Sequence, residues 1–122
     1  MLEWNVVLEL VSPNQKEHWS KTYASNKKNE RILGYHWMMT DEKPKVPCTV
    51  HLERVIFGRM KPMDDDDNLR MAFKNVKDVI SNFLVPGLKP GHADDPKHGI
   101  KWKYLQSRGD ESISIIKFIE KK

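Results

Sequence analysis

The chain contains one cysteine, Cys48, so it forms no internal disulfide, as suits a reducing compartment. No apolar run approaches the ~20 residues that a membrane helix requires. The first residues lack the basic, apolar and small-residue sections of a signal peptide. These absences predict a cytoplasmic protein with no membrane partner. There is no internal repeat, no linker and no low-complexity tract apart from one run of aspartates. The five histidines (His18, His36, His51, His92 and His98) show no paired metal-ligand spacing. They read as surface residues, although His92 and His98 flank Asp94-Asp95. Cys48 reads as a buried apolar residue, because no nucleophile signature surrounds it.

A length of 122 residues suits one domain around one core. The formal charge is +4, and its distribution says more than its size. Without Asp64 to Asp67, Asp94 and Asp95, the remaining 11 acidic residues face 21 basic ones, a balance of +10. A basic body carrying small acidic spots suits a polyanion such as DNA, provided that metal ions convert the acidic spots into attractors. Many basic soluble domains bind no nucleic acid, so charge alone does not decide.

Trp4 to Val11 predicts a strand by its β-branched content, broken by Ser12-Pro13-Asn14. Gln15 to about Met38 predicts a long basic helix with Trp19, Tyr23, Asn26, Glu30, Leu33 and Trp37 along a thin inward stripe. Cys48 to Gly58 predicts a second strand whose face of Val50, Leu52 and Ile56 is interrupted by Arg54. Leu69 to Phe83 predicts the clearest helix. At ~100° per residue its apolar positions, from Leu69 through Phe73 and Ile80 to Phe83, fall in an arc of ~120°. Ile100 to Gln106 and Ser112 to Glu120 predict two strands around an Arg108-Gly109-Asp110 turn, expected to form a hairpin. The expected fold is therefore α+β, a single domain of order β-α-β-α-β-β with a mixed sheet.

Asp64 to Asp67 run directly into the predicted helix at Leu69. Four adjacent like charges disfavour folding unless something offsets them. One aspartate suffices as an N-cap favoured by the helix dipole, and four exceed that need. A solvated acidic loop is the plain alternative. An EF-hand fails, because the sixth and twelfth positions counted from Asp64 hold Leu69 and Asn75 instead of Gly and Glu. On extended backbone, Asp65 and Asp67 point the same way and can share a divalent metal. Asp94 or Asp95 completes the cluster if the Leu84–Gly99 loop folds back. Arg70, Lys74 and Lys77 lie within ~60° of one another as a basic strip, unless they are simply a solvated helix face. Trp19, Trp37 and Trp102 are candidates for base stacking, with core packing or a subunit interface as the default.

These residues together resemble the RusA-type Holliday junction resolvases, endonucleases common in bacterial phages and prophages. The resemblance is carried by Met63-Asp64-Asp65-Asp66-Asp67-Asn68-Leu69, by Ala72-Phe73-Lys74 and Val79-Ile80, and by Asp94-Asp95 before an aromatic strand. Ser12-Pro13-Asn14 followed by His18-Trp19 fits as well, so the resemblance covers nearly the whole chain. It implies a RusA-like mixed-sheet fold and a homodimer in the bacterial cytoplasm. It also implies Mg²⁺-dependent cleavage of four-way DNA junctions, with Mn²⁺ as a substitute ion, in recombination and repair. Carried over by motif, the metal ligands and catalytic carboxylates are Asp65, Asp67 and Asp95, with Asp94 as the fallback for Asp95. Some family members carry a catalytic lysine where this chain has Met71, so Lys74 or Arg70 would supply that charge. Arg59, Lys61, Arg70 and Lys74 are the expected DNA contacts. A nuclease for other branched DNA and a non-catalytic junction-binding protein are the alternatives.

Overall fold

Strand Cys48–Phe57 (β2) occupies the interior of the sheet, and its sequence explains why. Cys48, Val50 and Leu52 alternate inward and are almost fully buried, and the strand has hydrogen-bonded neighbours on both sides. The computed structural model describes residues 1–10, 19–59, 62–63, 68–89, 91–92 and 95–120 of the chain. Around β2 stand β1 (Leu2–Val6), α1 (Trp19–Met39), α2 (Asn68–Ala72), α3 (Lys74–Leu84), a 3-10 turn (Pro96–His98), β3 (Ile100–Gly109) and β4 (Ile113–Glu120). The described residues thus form a mixed α/β domain with a four-stranded mixed sheet and three helices. Its element order follows the expected one, and the second helix is in two pieces.

The sheet order is β1-β4-β2-β3, and this corrects the expected hairpin. β3 runs parallel to β2 and β4 antiparallel to it, so β2 separates the two strands that were expected to pair. Crossing one strand means spanning two inter-strand spacings, ~9.6 Å, and the short link after Gly109 is long enough at ~3.3 Å per residue. Gly109 sits at that crossing. A Cβ there would lie 2.8 Å from Val55 Cγ1, so a side chain would collide with β2. A parallel β2–β3 pair requires a crossover, which the α2–α3 segment supplies.

Strand β1 is shorter than expected. It pairs with β4 only as far as Val6↔Ser114, and β4 begins one residue before Ser114. Beyond Val6 the described residues offer no strand partner, and Glu9 meets α1 instead. There Asn29 donates from Nδ2 to the Glu9 carbonyl and accepts the Glu9 N–H at Oδ1, each at 2.9 Å. Asn29 is buried, whereas Tyr23 of the expected stripe is 59 % exposed. A polar residue satisfied by backbone thus occupies an inward position of α1, which a search for apolar periodicity misses.

The two longer helices cover one face of the sheet. Trp4 packs against Phe118 and edge-on to Trp37, and Trp37 stacks on Phe83 of α3 with centroids 5.1 Å apart. Leu69, Phe73, Val76 and Ile80 of α2–α3 are fully buried, as their spacing predicts. The interruption at Phe73 (φ −91°, ψ 0°) leaves the helical hydrogen bonding intact, from Phe73 N–H to Leu69 O at 3.2 Å and from Lys77 N–H to Phe73 O at 2.8 Å. Phe73 is the largest of these buried side chains and ties the two pieces to the core. Among the described residues no helix is long and apolar enough to cross a membrane.

Candidate functional site

The segment leading into the aspartate run is fixed by one side chain. Gln106 of β3 donates from Nε2 to the Met63 carbonyl at 2.7 Å and accepts the Met63 N–H at Oε1 at 2.9 Å. Arg54, directly opposite Gln106 in the parallel register, donates to the same Oε1 at 3.1 Å. Arg54 is the charge that interrupts the apolar face of β2. Partial burial lowers its guanidinium from the ordinary value, yet arginine remains cationic at any physiological pH. Its place is explained by what it holds. Downstream, α2 starts at Asn68, and Leu69 is anchored in the core. Asp64 to Asp67, and with them the expected ligands Asp65 and Asp67, lie outside the described residues, as do Lys61 and Asp94.

Past that start, the basic strip meets aromatic rings of β3. The Arg70 guanidinium lies 5.4 Å from the Tyr104 ring centroid. The Lys77 ammonium lies 5.6 Å from Trp102 and 6.0 Å from Tyr104. Alternation along β3 places Trp102, Tyr104 and Gln106 on the helix-facing side. A groove of about 1040 Å³ runs here, walled by Arg70, Met71, Lys74 and Lys77 on the helices and by Trp102 and Tyr104 on β3. Arg59 is exposed at the end of the turn that follows β2.

The loop carrying Asp95 reaches the same groove. Gly91 and Pro96 line it, and the Gly91 N–H donates to Asp78 Oδ1 of α3 at 3.4 Å. Asp95 caps the 3-10 turn, accepting the Lys97 N–H at Oδ1 at 3.1 Å, and its Oδ2 lies 3.6 Å from Lys97 Nζ. The Lys97 N–H does most to hold this carboxyl below the usual carboxylate range; desolvation opposes it, and the charges of Lys97 and His98 add to the lowering. Asp95 is thus an ionised hard-oxygen donor, the ligand type that Mg²⁺ takes. Among the described residues no three His, Cys, Asp or Glu side chains are grouped to hold a metal.

Cys48 is buried at the start of β2, and desolvation, followed by the charge of Glu120, pushes its thiol up to about 11. It stays protonated and packs as an apolar residue. Trp37 is committed to its stack on Phe83, and the Trp19 side chain lies outside the described residues. Sequence reasoning missed Tyr104, Gln106 and the role of Arg54. The alternation of IKWKYLQ was the available signal, since it puts Trp102, Tyr104 and Gln106 on one face; nothing local says what that face meets.

Comparison of the chain with protein-family models and with curated proteins finds no match.

Proposed function

We propose that the protein is a Mg²⁺-dependent, structure-selective endodeoxyribonuclease of the RusA type that resolves four-way DNA junctions. One observation carries the reading. The helix that follows the aspartate run, the loop that bears Asp95 and a cationic-aromatic strip all border one groove. Three carboxylates, Asp65, Asp67 and Asp95, form a donor set of hard oxygens suited to Mg²⁺. When bound, the ion supplies hydroxide at neutral pH and offsets charge on the reacting phosphate. Lys74 or Arg70 stabilises charge on the phosphate or the leaving oxygen. Arg59 and Lys61 contact the DNA backbone and position it without reading sequence. A two-fold homodimer presents two such sites to a junction of approximate two-fold symmetry, so that paired nicks yield two duplexes. The setting is a bacterial cytoplasm.

A non-catalytic junction-binding role is the second reading. It is favoured by the engagement of Asp95 with Lys97 and by the exposed Met71 on the groove wall. Incubation with a synthetic mobile four-way junction and Mg²⁺, with a matched linear duplex as control, separates the two. Symmetrical nicks in the junction alone support the resolvase. Equal cutting of the duplex contradicts junction selectivity, and binding without cleavage across Mg²⁺ and Mn²⁺ concentrations favours the second reading.

A further inference from the structure

We infer that the groove beside β3 binds unpaired nucleotides of a DNA strand, with Trp102 as the ring on which a base stacks. The inference rests on the nuclease reading for its choice of DNA, and goes further in naming a single-stranded subsite and its platform. Three cations on the helix wall line the groove, Arg70, Lys74 and Lys77, while alternation along β3 turns Lys101 and Lys103 to the opposite face of the sheet. Among the described residues the acidic ones along it are Asp78 and Glu120, and one Asp78 oxygen accepts the Gly91 N–H. Three cations on one helix wall suit a phosphate backbone.

The rings distinguish the groove from a plain basic patch. Trp102 and Tyr104 stand two residues apart on one side of an edge strand and are half-buried, so each is held by its neighbours while part of it meets solvent. Lys77 lies over both rings and Arg70 over Tyr104. Such contacts are weak at exposed sites, whereas stacking of a base on an aromatic ring is stronger and tolerates any base. A base arriving at Trp102 therefore displaces the Lys77 ammonium from the ring towards the adjoining phosphate. Duplex DNA cannot offer a base face sideways, and a fully paired four-way junction supplies one only where its branch point is opened on binding. The groove also adjoins α2, the helix that follows the aspartate run in sequence.

The test is fluorescence anisotropy with a labelled 12-nucleotide oligothymidylate and an abasic strand of the same length, at fixed salt. The wild-type chain is expected to bind the abasic strand roughly tenfold more weakly. Trp102→Ala should lose about the same factor for oligothymidylate, Trp102→Phe should retain most of the affinity, and neither should alter the salt dependence. Lys74→Ala should instead reduce the salt slope by ~0.7. Equal binding of the two strands by the wild type overturns the inference, and that comparison stands even if Trp102→Ala fails to fold. Displacement of the oligonucleotide by polyglutamate at equal charge concentration also overturns it. Junction cleavage without any base effect refutes the stacking subsite alone. A base effect without cleavage under any metal condition refutes the nuclease alone.

Discussion

Gln106 holds both backbone polar groups of Met63, donating to its carbonyl at 2.7 Å and accepting its N–H at 2.9 Å. The amide orientation is set by Arg54, which can only donate and does so to Gln106 Oε1. Asn29 treats Glu9 in the same way on the other side of the domain. In both cases a side-chain amide takes the place of a missing strand and satisfies a backbone that has left the sheet. At Met63 the consequence is functional, because the next residue opens the aspartate run.

Removing the grip should therefore loosen the run without touching it. Gln106→Ala is expected to cost about 1–3 kcal/mol of stability by leaving part-buried backbone groups and Arg54 less well satisfied. Urea unfolding measures this. Limited proteolysis of the folded variant should show earlier cleavage between Gly58 and Asn68 than in the wild type. An unchanged proteolytic pattern would mean that the loop is fixed by other contacts.

His51 provides a pH signature on the opposite face of the sheet. Desolvation and the charges of Lys103 and Lys117, its register partners on β3 and β4, lower its pKa against the opposing pull of Glu53. The unfolded chain then binds the proton more readily than the folded one. This contribution to stability is fully present above the unfolded value of about 6.5 and is lost as pH falls through the folded value. Thermal melting between pH 8 and pH 5 should show Tm falling towards acid, and His51→Gln should make that fall shallower. A steeper fall in the variant would reverse the sign of the effect.

Met71 is 52 % exposed on the groove wall, so Met71→Lys should fold with a stability change within about 0.5 kcal/mol. If Lys74 supplies the cation for phosphoryl transfer, Lys74→Ala should lower junction cleavage by ~10²-fold, and Met71→Lys in that background should restore part of it. Single-turnover cleavage rates decide this. A Lys74→Ala enzyme that cuts at the normal rate assigns the charge to Arg70.

The sequence revealed much of the fold but little of the pairing. Element order and the buried face of α2–α3 were legible because Leu69, Phe73, Val76 and Ile80 repeat at helical spacing, and that spacing depends on nothing outside the helix. The pairing of β3 and β4 was misread because alternation identifies a strand but not its partner. The insertion of β2 between them rests on long-range pairing, β2 with β3 on one side and with β4 on the other. In α1 the inward position of Asn29 was hidden because its burial is supported by hydrogen bonds to Glu9. At the candidate site the cations Arg70, Lys74 and Lys77 could be read from helix geometry. Their rings Trp102 and Tyr104 could not be assigned to them, since only the parallel crossover brings β3 alongside α3.

The most direct measurement of the central claim compares cleavage and binding of a four-way junction by the wild type and by Asp67→Asn in Mg²⁺. The substitution keeps the shape of the side chain and removes the charge that a metal requires. The account predicts that Asp67→Asn binds the junction with unchanged affinity and no longer nicks it. A variant that nicks at the wild-type rate would contradict the metal assignment and the catalytic reading built on it.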